Sequence, residues 1–390
     1  MTSDQTFRAR VVPRIADIDG ALWNACALSG EPAANPFVDH RFLKALEESG
    51  SVAGETGWAP AHLALERADG TPAGFAPCYL KSHSQGEYVF DHAFADAYER
   101  AGGDYYPKLQ VAVPFTPVTG PRLLVAPGQD AARARQALAS ALRGFMSQTD
   151  ASSVHVTFAT EDEREALVGE GFLARDDQQF HWSNEGYGSY DDFLGELASR
   201  KRKQLKRERR EALGDDISVR HVTGADLTEA HWDAFYAFYM DTGARKWGRP
   251  YLNRRFFSLV GEAMPEKILL VFAERDGRPI AGALNFIGED AIYGRYWGAV
   301  EDRPFLHFEI CYHQAIEAAI ERGLARVEAG AQGQHKLARG YRPVTTRSAH
   351  LFADPGLHKA VADYLVRERR QIAAMHEALD ESAPFRRGPA

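Results

Sequence analysis

The sequence predicts an α/β chain built from two similarly wired units joined by a basic helix, and three observations carry that expectation. At 390 residues the chain exceeds the size at which single hydrophobic cores usually stop growing. A strand-turn-strand string occurs twice, as "LALERADGTPAGFA" at 63–76 and "LVFAERDGRPIAGAL" at 270–284. After each copy comes the same succession of helix, strand, short helix and Gly-aromatic pair, the signature of a duplication.

In chain order, the N-terminal stretch "MTSDQTFRARVVPRIADIDG" is charged from its start and has no apolar core, so no signal or transit sequence is expected. With no apolar run of bilayer length, the expected location is the cytoplasm. The first hairpin turns on Asp69-Gly70; Asp-Gly between apolar runs favours a tight turn because type I′ needs positive φ at both central positions. The stretch "HAFADAYERAGGDYYPKLQVAVPFTPVTGPRL" follows, without counterpart in the second copy. Insertions rich in Gly, Pro and aromatics serve as functional loops or as packing. Next come a helix "AARARQALASALRGFMSQ", a strand "SSVHVTF", a short helix "EDEREALVGE" and Gly171-Phe172.

At the seam, Tyr190, Phe193, Leu194 and Leu197 have the spacing that starts a long amphipathic helix. From Arg200 to Arg210 eight of eleven residues are Lys or Arg and one is Glu, so no apolar stripe of its own can hold this part. It is either a solvated helix end whose cations favour the C-terminus that Gly214 closes, or an anion platform for phosphates of RNA or of a phosphorylated precursor. The second copy adds the helix "HFEICYHQAIEAAIERG", the strand "ARVEAG", the short helical "QHKLAR" and Gly340-Tyr341. The expected boundaries are 1–184 and 215–380 for the two units, 185–214 for the linker helix, and 381–390 for a flexible tail.

Composition narrows the class. Hydrophobic residues make up 45% and charged residues 26%, as in an average globular protein, and a net charge of -8 does not fit a generic nucleic-acid binder. Cys26, Cys78 and Cys311 are odd in number, widely spaced and without CxxC spacing, which argues against disulfides or a thiolate zinc site and reads them as small hydrophobes. His307, Glu309, Cys311 and His313 do not converge on a helix, where 307 faces 311 and 309 faces 313, so no metal site is expected.

Three stretches concentrate chemistry. Strand alternation over "IYGRYWGAV" puts Tyr293, Arg295 and Trp297 on one face and Tyr296 on the other; a strand-embedded Arg needs a carboxylate, a phosphate or a stacked ring. Arg245, Lys246, Trp247 and Tyr251 fall in "TGARKWGRPYLNRRFF", either an exposed loop before a helix or a grip on an anionic ligand that carries a ring. "VEAGAQGQHKLARGY" sets Glu328, Gln332, His335, Lys336 and Arg339 at a strand end leading into a helix start. There backbone N–H groups favour negative charge, and Glu328 or His335 could move a proton. No GxxxxGK[ST], GxSxG or GxGxxG pattern occurs, so nucleotide hydrolysis is not expected.

The stretches "GEYVFDHAFADAYERAGGDYYPKLQVAVPFTPVTG", "SRKRKQLKRERREA", "RKWGRPYLNR", "GRYWG", "FLHFEICYHQAI" and "VEAGAQGQHKLARGY" run through most of the chain, which in them resembles the FemAB-like family of N-acyltransferases, built from two GNAT-type (GCN5-related N-acetyltransferase) domains. The resemblance implies a mixed sheet flanked by helices in each half, and acyl transfer to a nitrogen nucleophile. The implied donor is aminoacyl-tRNA, with an amine of a cell-wall peptide precursor as acceptor, or an acyl-CoA; Arg200 to Arg210 would be the tRNA contact. The usual GNAT pyrophosphate signature is not evident, "VAPGQDAAR" at 125–133 being the nearest approach. Such chemistry needs a base, an aligned acyl donor and a stabilised oxyanion. Glu309 or Glu328 could be the base, and Lys336 or Arg295 could steady charge. Glu87, Asp91, Tyr106 and Lys108 of the insertion could line an acceptor groove, with Arg245, Lys246, Trp247, Tyr251, Arg295, Trp297, Gln332, His335 and Arg339 as further substrate contacts. The rival expectation is a non-catalytic recognition protein that binds a peptidoglycan precursor or RNA.

Overall fold

A computed structural model describes residues 7–28, 35–246, 250–330 and 333–386. The chain divides into two compact units, Met1–Asp177 with Thr345–Ala373 and Gln178–Val344 with Ala374–Ala390. These differ from the contiguous spans expected from the sequence, because the chain returns to the first unit late and the basic helix lies within the second.

The strands of the first unit, in order, are β1 (Phe7–Val12), β2 (Trp58–Pro60), β3 (His62–Arg67), β4 (Pro72–Ala76), β5 (Cys78–Lys81), β6 (Lys108–Val111), β7 (Leu124–Val125) and β8 (Ser153–Val156). The chain changes unit within β9 (Leu173–Ser183), and the second unit continues with β10 (Ser218–Thr223), β11 (Ile268–Arg275), β12 (Arg278–Ile287), β13 (Ala291–Ala299) and β14 (Arg326–Glu328) before β15 (Arg342–Phe352) returns.

In the first unit β1, β3, β4 and β7 form an antiparallel sheet. A second, mixed sheet runs β2-β5-β6-β8, with β6 and β8 parallel, and β15 adds to β8 through residues 349–352. The helix Ala131–Gln148 buries Ala134, Leu138, Ala139, Leu142 and Met146, a helical stripe that packs with Leu63, Leu65, Val154 and Val156. At roughly 1.5–3 kcal/mol for each large apolar side chain buried, such contacts dominate the stabilisation.

In the second unit β10-β11-β12-β13 form an antiparallel meander, β14 lies parallel to β13, and β9 pairs antiparallel with β14. Helix Glu229–Lys246 presses on β13 so closely that a Cβ on Gly298 would stand 2.0 Å from the Phe238 carbonyl oxygen. On the other side Ile310, Ala315, Ile316 and Ala319 pack with Leu269, Val271, Val327 and Tyr341.

The repeat is visible in the backbone. Asp276 and Gly277 have φ of 50° and 72° and directly join β11 to β12, as a type I′ turn requires. The earlier hairpin carries one more residue, Ala68, and only its Gly70 has positive φ, at 83°; Asp69 there accepts from the Thr71 amide and hydroxyl. Both Gly-aromatic pairs also match: Gly171 and Gly340 have φ of 90° and 84°, and Phe172 and Tyr341 are buried.

Two expectations need correction. The seam is not one long helix: Tyr190–Glu196 and Ser199–Leu213 are separate, because Leu197 is extended and bridges Phe385 while the Ala198 amide donates to the Pro384 carbonyl. Those contacts also anchor the chain as far as Arg386, whose amide donates to the Glu196 carbonyl, so residues 381–386 of the expected tail are held.

Candidate functional site

Parallel pairing of β13 and β14 covers only three residues, ending at Tyr293 opposite Glu328. There β14 ends, while β13 runs on to Ala299. The register of β12 against β13 slips between Leu284 and Asn285, which face Tyr296 and Gly294, so Arg295 is the extra residue of a β-bulge. A bulge re-aims side chains and sharpens twist. It also breaks the expected alternation: Gly294, Arg295, Tyr296 and Trp297 all line a cavity of about 130 Å³. The Arg295 guanidinium lies 5.3 Å from the Tyr296 ring, the stacked partner a strand Arg was expected to need.

The cavity's opposite side comes from the helical stretch Leu306–Glu321. Its residues Glu309–His313 form a π turn, a local widening common at functional sites, and His307, Cys311 and Tyr312 line the cavity. The Trp297 ring lies 4.8 Å from that of His307. Asn285, on β12, also lines the cavity. It is fully buried, its amide donates to the Leu269 carbonyl at 3.3 Å, and its Oδ1 has no hydrogen-bond partner among the described residues.

After Ala329 the chain turns into the 3-10 helix Gln334–Arg339. Lys336 is buried, and its ammonium donates to the Gly330 carbonyl oxygen at 2.8 Å. Burial pulls it down to about 7, while Cys311 and Arg295 act on it in opposite directions. A buried amine with few partners stays neutral more readily than a solvated one, so near neutral pH Lys336 can accept a proton. His335 shares a 2.8 Å hydrogen bond with Tyr312. Arg339 caps the arrangement: it donates to Glu208 at 2.7 Å and to the His335 carbonyl at 2.8 Å, and lies 3.4 Å from the centre of the Phe308 ring.

The two carboxylates considered as bases are both held. Glu309 is fully buried and accepts from Arg209 through both oxygens at 2.8 Å and from Gln314 at 2.8 Å. Glu328 accepts from Arg326 at 2.9 Å and its other oxygen stands 3.6 Å from His181. Of the four residues weighed as metal ligands, Glu309 is thus committed to Arg209, and His313 to Tyr190 at 2.6 Å. The basic helix is anchored by these same contacts. Leu205 and Ala212 are buried on one side, and Glu208 and Arg209 pair with Arg339, Glu309 and Glu317. Arg200, Lys203, Arg207 and Arg210 remain exposed at helical spacing on the opposite face.

In the first unit Glu87, Asp91, Tyr106 and Lys108 do come together. Lys108 is fully buried and donates to Glu87 at 2.7 Å, Asp91 at 2.5 Å and Ser84 at 2.8 Å, and Ser84 bonds Tyr106 at 2.8 Å. Burial opposes the Lys108 charge, but Glu87 and Asp91 outweigh it and hold the ammonium above its ordinary value. The network continues through Tyr105 to His155 and on to His350, whose ring nitrogens meet at 2.7 Å. Beside it Lys81, pulled by burial to about 7, sits 3.5 Å above the Trp58 ring. Nothing in local spacing pointed to Lys81, Tyr105, His155 or His350.

Of the remaining residues, Tyr251 is exposed, the side chains of Arg245 and Lys246 and the whole of Trp247 and Gln332 lie outside the described residues, and "VAPGQDAAR" ends at a helix whose N-terminus is capped by its own Asp130. From the sequence Cys311 is weighed only as a metal ligand and Asn285 not at all, although an Asn inside the apolar strand "IAGALNFI" is a findable signal.

A sequence model of the FemAB-like family, described as peptidoglycan biosynthesis/recognition, matches residues 14–387. Among solved structures, FemX aligns with a TM-score of 0.56 at 12% identity, over 88% of this chain and 98% of that one. A tandem GNAT protein from the clavulanic acid biosynthesis pathway aligns at 0.48 and 12%, over 90% and 99% of the two chains. L-PGS from Bacillus licheniformis aligns at 0.49 and 10%, over 82% and 95%. No curated protein matches the chain. The FemX likeness concerns the fold: mixed sheets with flanking helices, in the tandem GNAT-like arrangement.

Proposed function

Because the chain belongs to the FemAB-like family of peptidoglycan biosynthesis and recognition, we propose that it is an N-acyltransferase that moves an acyl or aminoacyl group onto an amine, with a cell-wall peptide precursor as the acceptor class. The observation that carries this reading is the cavity lined by β12, the bulged β13, the π turn and Ala329, with the buried Lys336 amine on the carbonyl of the next residue, Gly330. Acyl transfer asks for a group that accepts a proton near neutral pH, and Lys336 suits that better than Glu309, both of whose oxygens Arg209 engages, or Glu328, which is ion-paired with Arg326 through one oxygen and does not line the cavity. Arg295 and Tyr312, which line the cavity, supply positive charge and a hydroxyl donor for the oxyanion.

The exposed cations Arg200, Lys203, Arg207 and Arg210 favour a polyanionic donor such as aminoacyl-tRNA over a free acyl-CoA. In the first unit, Tyr106 is the partly exposed member of the Lys108 network and the best placed to meet an acceptor; Glu87, Asp91 and Lys108 then hold the insertion in shape.

A binding-only reading is favoured by one observation, the ion-paired state of both glutamates. Transfer assays with aminoacyl-tRNA and acyl-CoA donors across a panel of peptide amines decide between them. Lys336→Met should lower the transfer rate about a hundredfold or more, the usual size of a general-base effect, and leave acceptor affinity unchanged. Wild-type protein inert with every donor would leave the recognition reading.

A further inference from the structure

The same cavity contains a thiol. Cys26 and Cys78 are buried, and burial pushes their thiols up to about 11 and about 12. Cys311 is the partly exposed one, lining the cavity from the π turn. That turn is fixed from behind, since Arg209 and Gln314 grip Glu309 at its first position.

We propose that Cys311 is an acyl-carrying nucleophile: the donor's acyl group passes first to its sulfur, with the Lys336 amine accepting the thiol proton, and from there to the acceptor amine. The inference rests on the acyl-transfer reading of this cavity.

Three observations lead there. Lys336 is buried, and among the described residues its one hydrogen-bond acceptor is the carbonyl of Gly330, the residue after Ala329, which lines the cavity with Cys311. Asn285 presents a fully buried oxygen, without a partner among the described residues, beside the same cavity; a Cβ on the cavity-lining Gly294 would stand 3.4 Å from it. An acceptor left unmade in a protein interior costs about 1–3 kcal/mol, and an N–H of an amide-bearing or aminoacyl ligand would satisfy it. The third is the π turn, which sets Cys311 and Tyr312 into the cavity one after the other.

In the first half-reaction the thiol proton moves to the neutral Lys336 amine. The Cys311 thiolate attacks the acyl carbon, an S–C bond forms, the donor's C–O or C–S bond breaks, and the leaving oxygen or sulfur takes the proton from Lys336. In the second, the acceptor amine forms an N–C bond, the S–C bond breaks, and the amine's proton returns to the Cys311 sulfur. No oxidant or reductant takes part. The titratable groups that line the cavity with this thiol are Arg295 from β13 and His307 and Tyr312 from its own helix; Lys336 and Tyr341 interact with it electrostatically from the segment that follows β14, and His335 bonds Tyr312.

An activated ester tests this without knowledge of the natural donor. Mixed with p-nitrophenyl acetate, the full chain should give a stoichiometric burst of p-nitrophenolate and an acetyl group on Cys311, labile to hydroxylamine. The burst should vanish in Cys311→Ala, persist in Cys26→Ala, and slow about a hundredfold in Lys336→Met. Alkylation of Cys311 by iodoacetamide should have its pH midpoint below the ordinary thiol value of about 8.5 and shift upward in Lys336→Met. An adduct elsewhere, a burst surviving in Cys311→Ala, or an unshifted alkylation profile overturns the proposal. The two readings fail distinguishably. A Cys311 thioester that no amine discharges keeps Cys311 as the acyl carrier but overturns its discharge to an amine together with the N-acyltransferase; undiminished transfer to amines in Cys311→Ala overturns the carrier alone.

Discussion

Two buried groups of the second unit make opposite predictions. Glu309 holds Arg209 and Gln314 in place, so Glu309→Gln leaves the guanidinium with the half-buried Glu317 as its one carboxylate partner among the described residues. Breaking one side of a buried pair costs about 3–5 kcal/mol, which differential scanning calorimetry should record as a clear fall in melting temperature. Lys336 is buried as an amine whose charged form burial disfavours. Lys336→Met should therefore lose the reaction while melting at the same temperature or higher. The sequence made Glu309 and Lys336 look alike, as charged residues near strand and helix ends. What separates them is whether a partner 100 positions away reaches back: Arg209 does so for Glu309, and no local pattern reports such a distance. Cys311 was legible as a residue type, but its exposure depends on a π turn for which "HFEICYHQ" has no distinguishing signal.

At the scale of elements, the basic helix Ser199–Leu213 has two faces with different tasks. Glu208 and Arg209 tie it to the cavity's supports, whereas Arg200, Lys203, Arg207 and Arg210 have no ion-pair partner among the described residues. Replacing these four by Gln should weaken binding to tRNA or another phosphate polymer and lower the slope of log affinity against log salt by about 3, read by fluorescence anisotropy over a salt series; an unchanged slope would make the face a solvated one. The hairpins, the doubled helix-strand-helix order and the Gly-aromatic pairs were legible because each rests on local chemistry: positive φ at glycine, apolar periodicity, turn residues. The bulge at Arg295 and the break at Leu197 were not. The first depends on how β12 and β13 register, the second on Pro384 and Phe385 arriving from the far end of the chain.

For the molecule as a whole, buried histidines set the response to acid. Burial holds His155 down to about 3, and holds His181, His313 and His350 below their usual value. Unfolded, each titrates near 6.5, so below that pH the unfolded chain binds more protons than the folded one and stability falls. It is fully present above about 7 and declines by up to about 1.4 kcal/mol per pH unit for each histidine. Lys81 and Lys336, also held down by burial, act in the same direction between about 7 and 10. Urea melts should find the maximum on the alkaline side of neutrality and a steep loss between pH 6 and 4; a flat profile there would contradict the buried, neutral state of these rings.

The late return of Thr345–Ala373 to the first unit has a consequence for biosynthesis. His155 meets His350, and β8 pairs with residues 349–352, so a nascent chain cannot finish the unit it starts with until residues 345–373 have followed the whole span 178–344 off the ribosome. A ribosome stalled anywhere before residue 345 would leave β8 without that neighbour, an open template for aggregation.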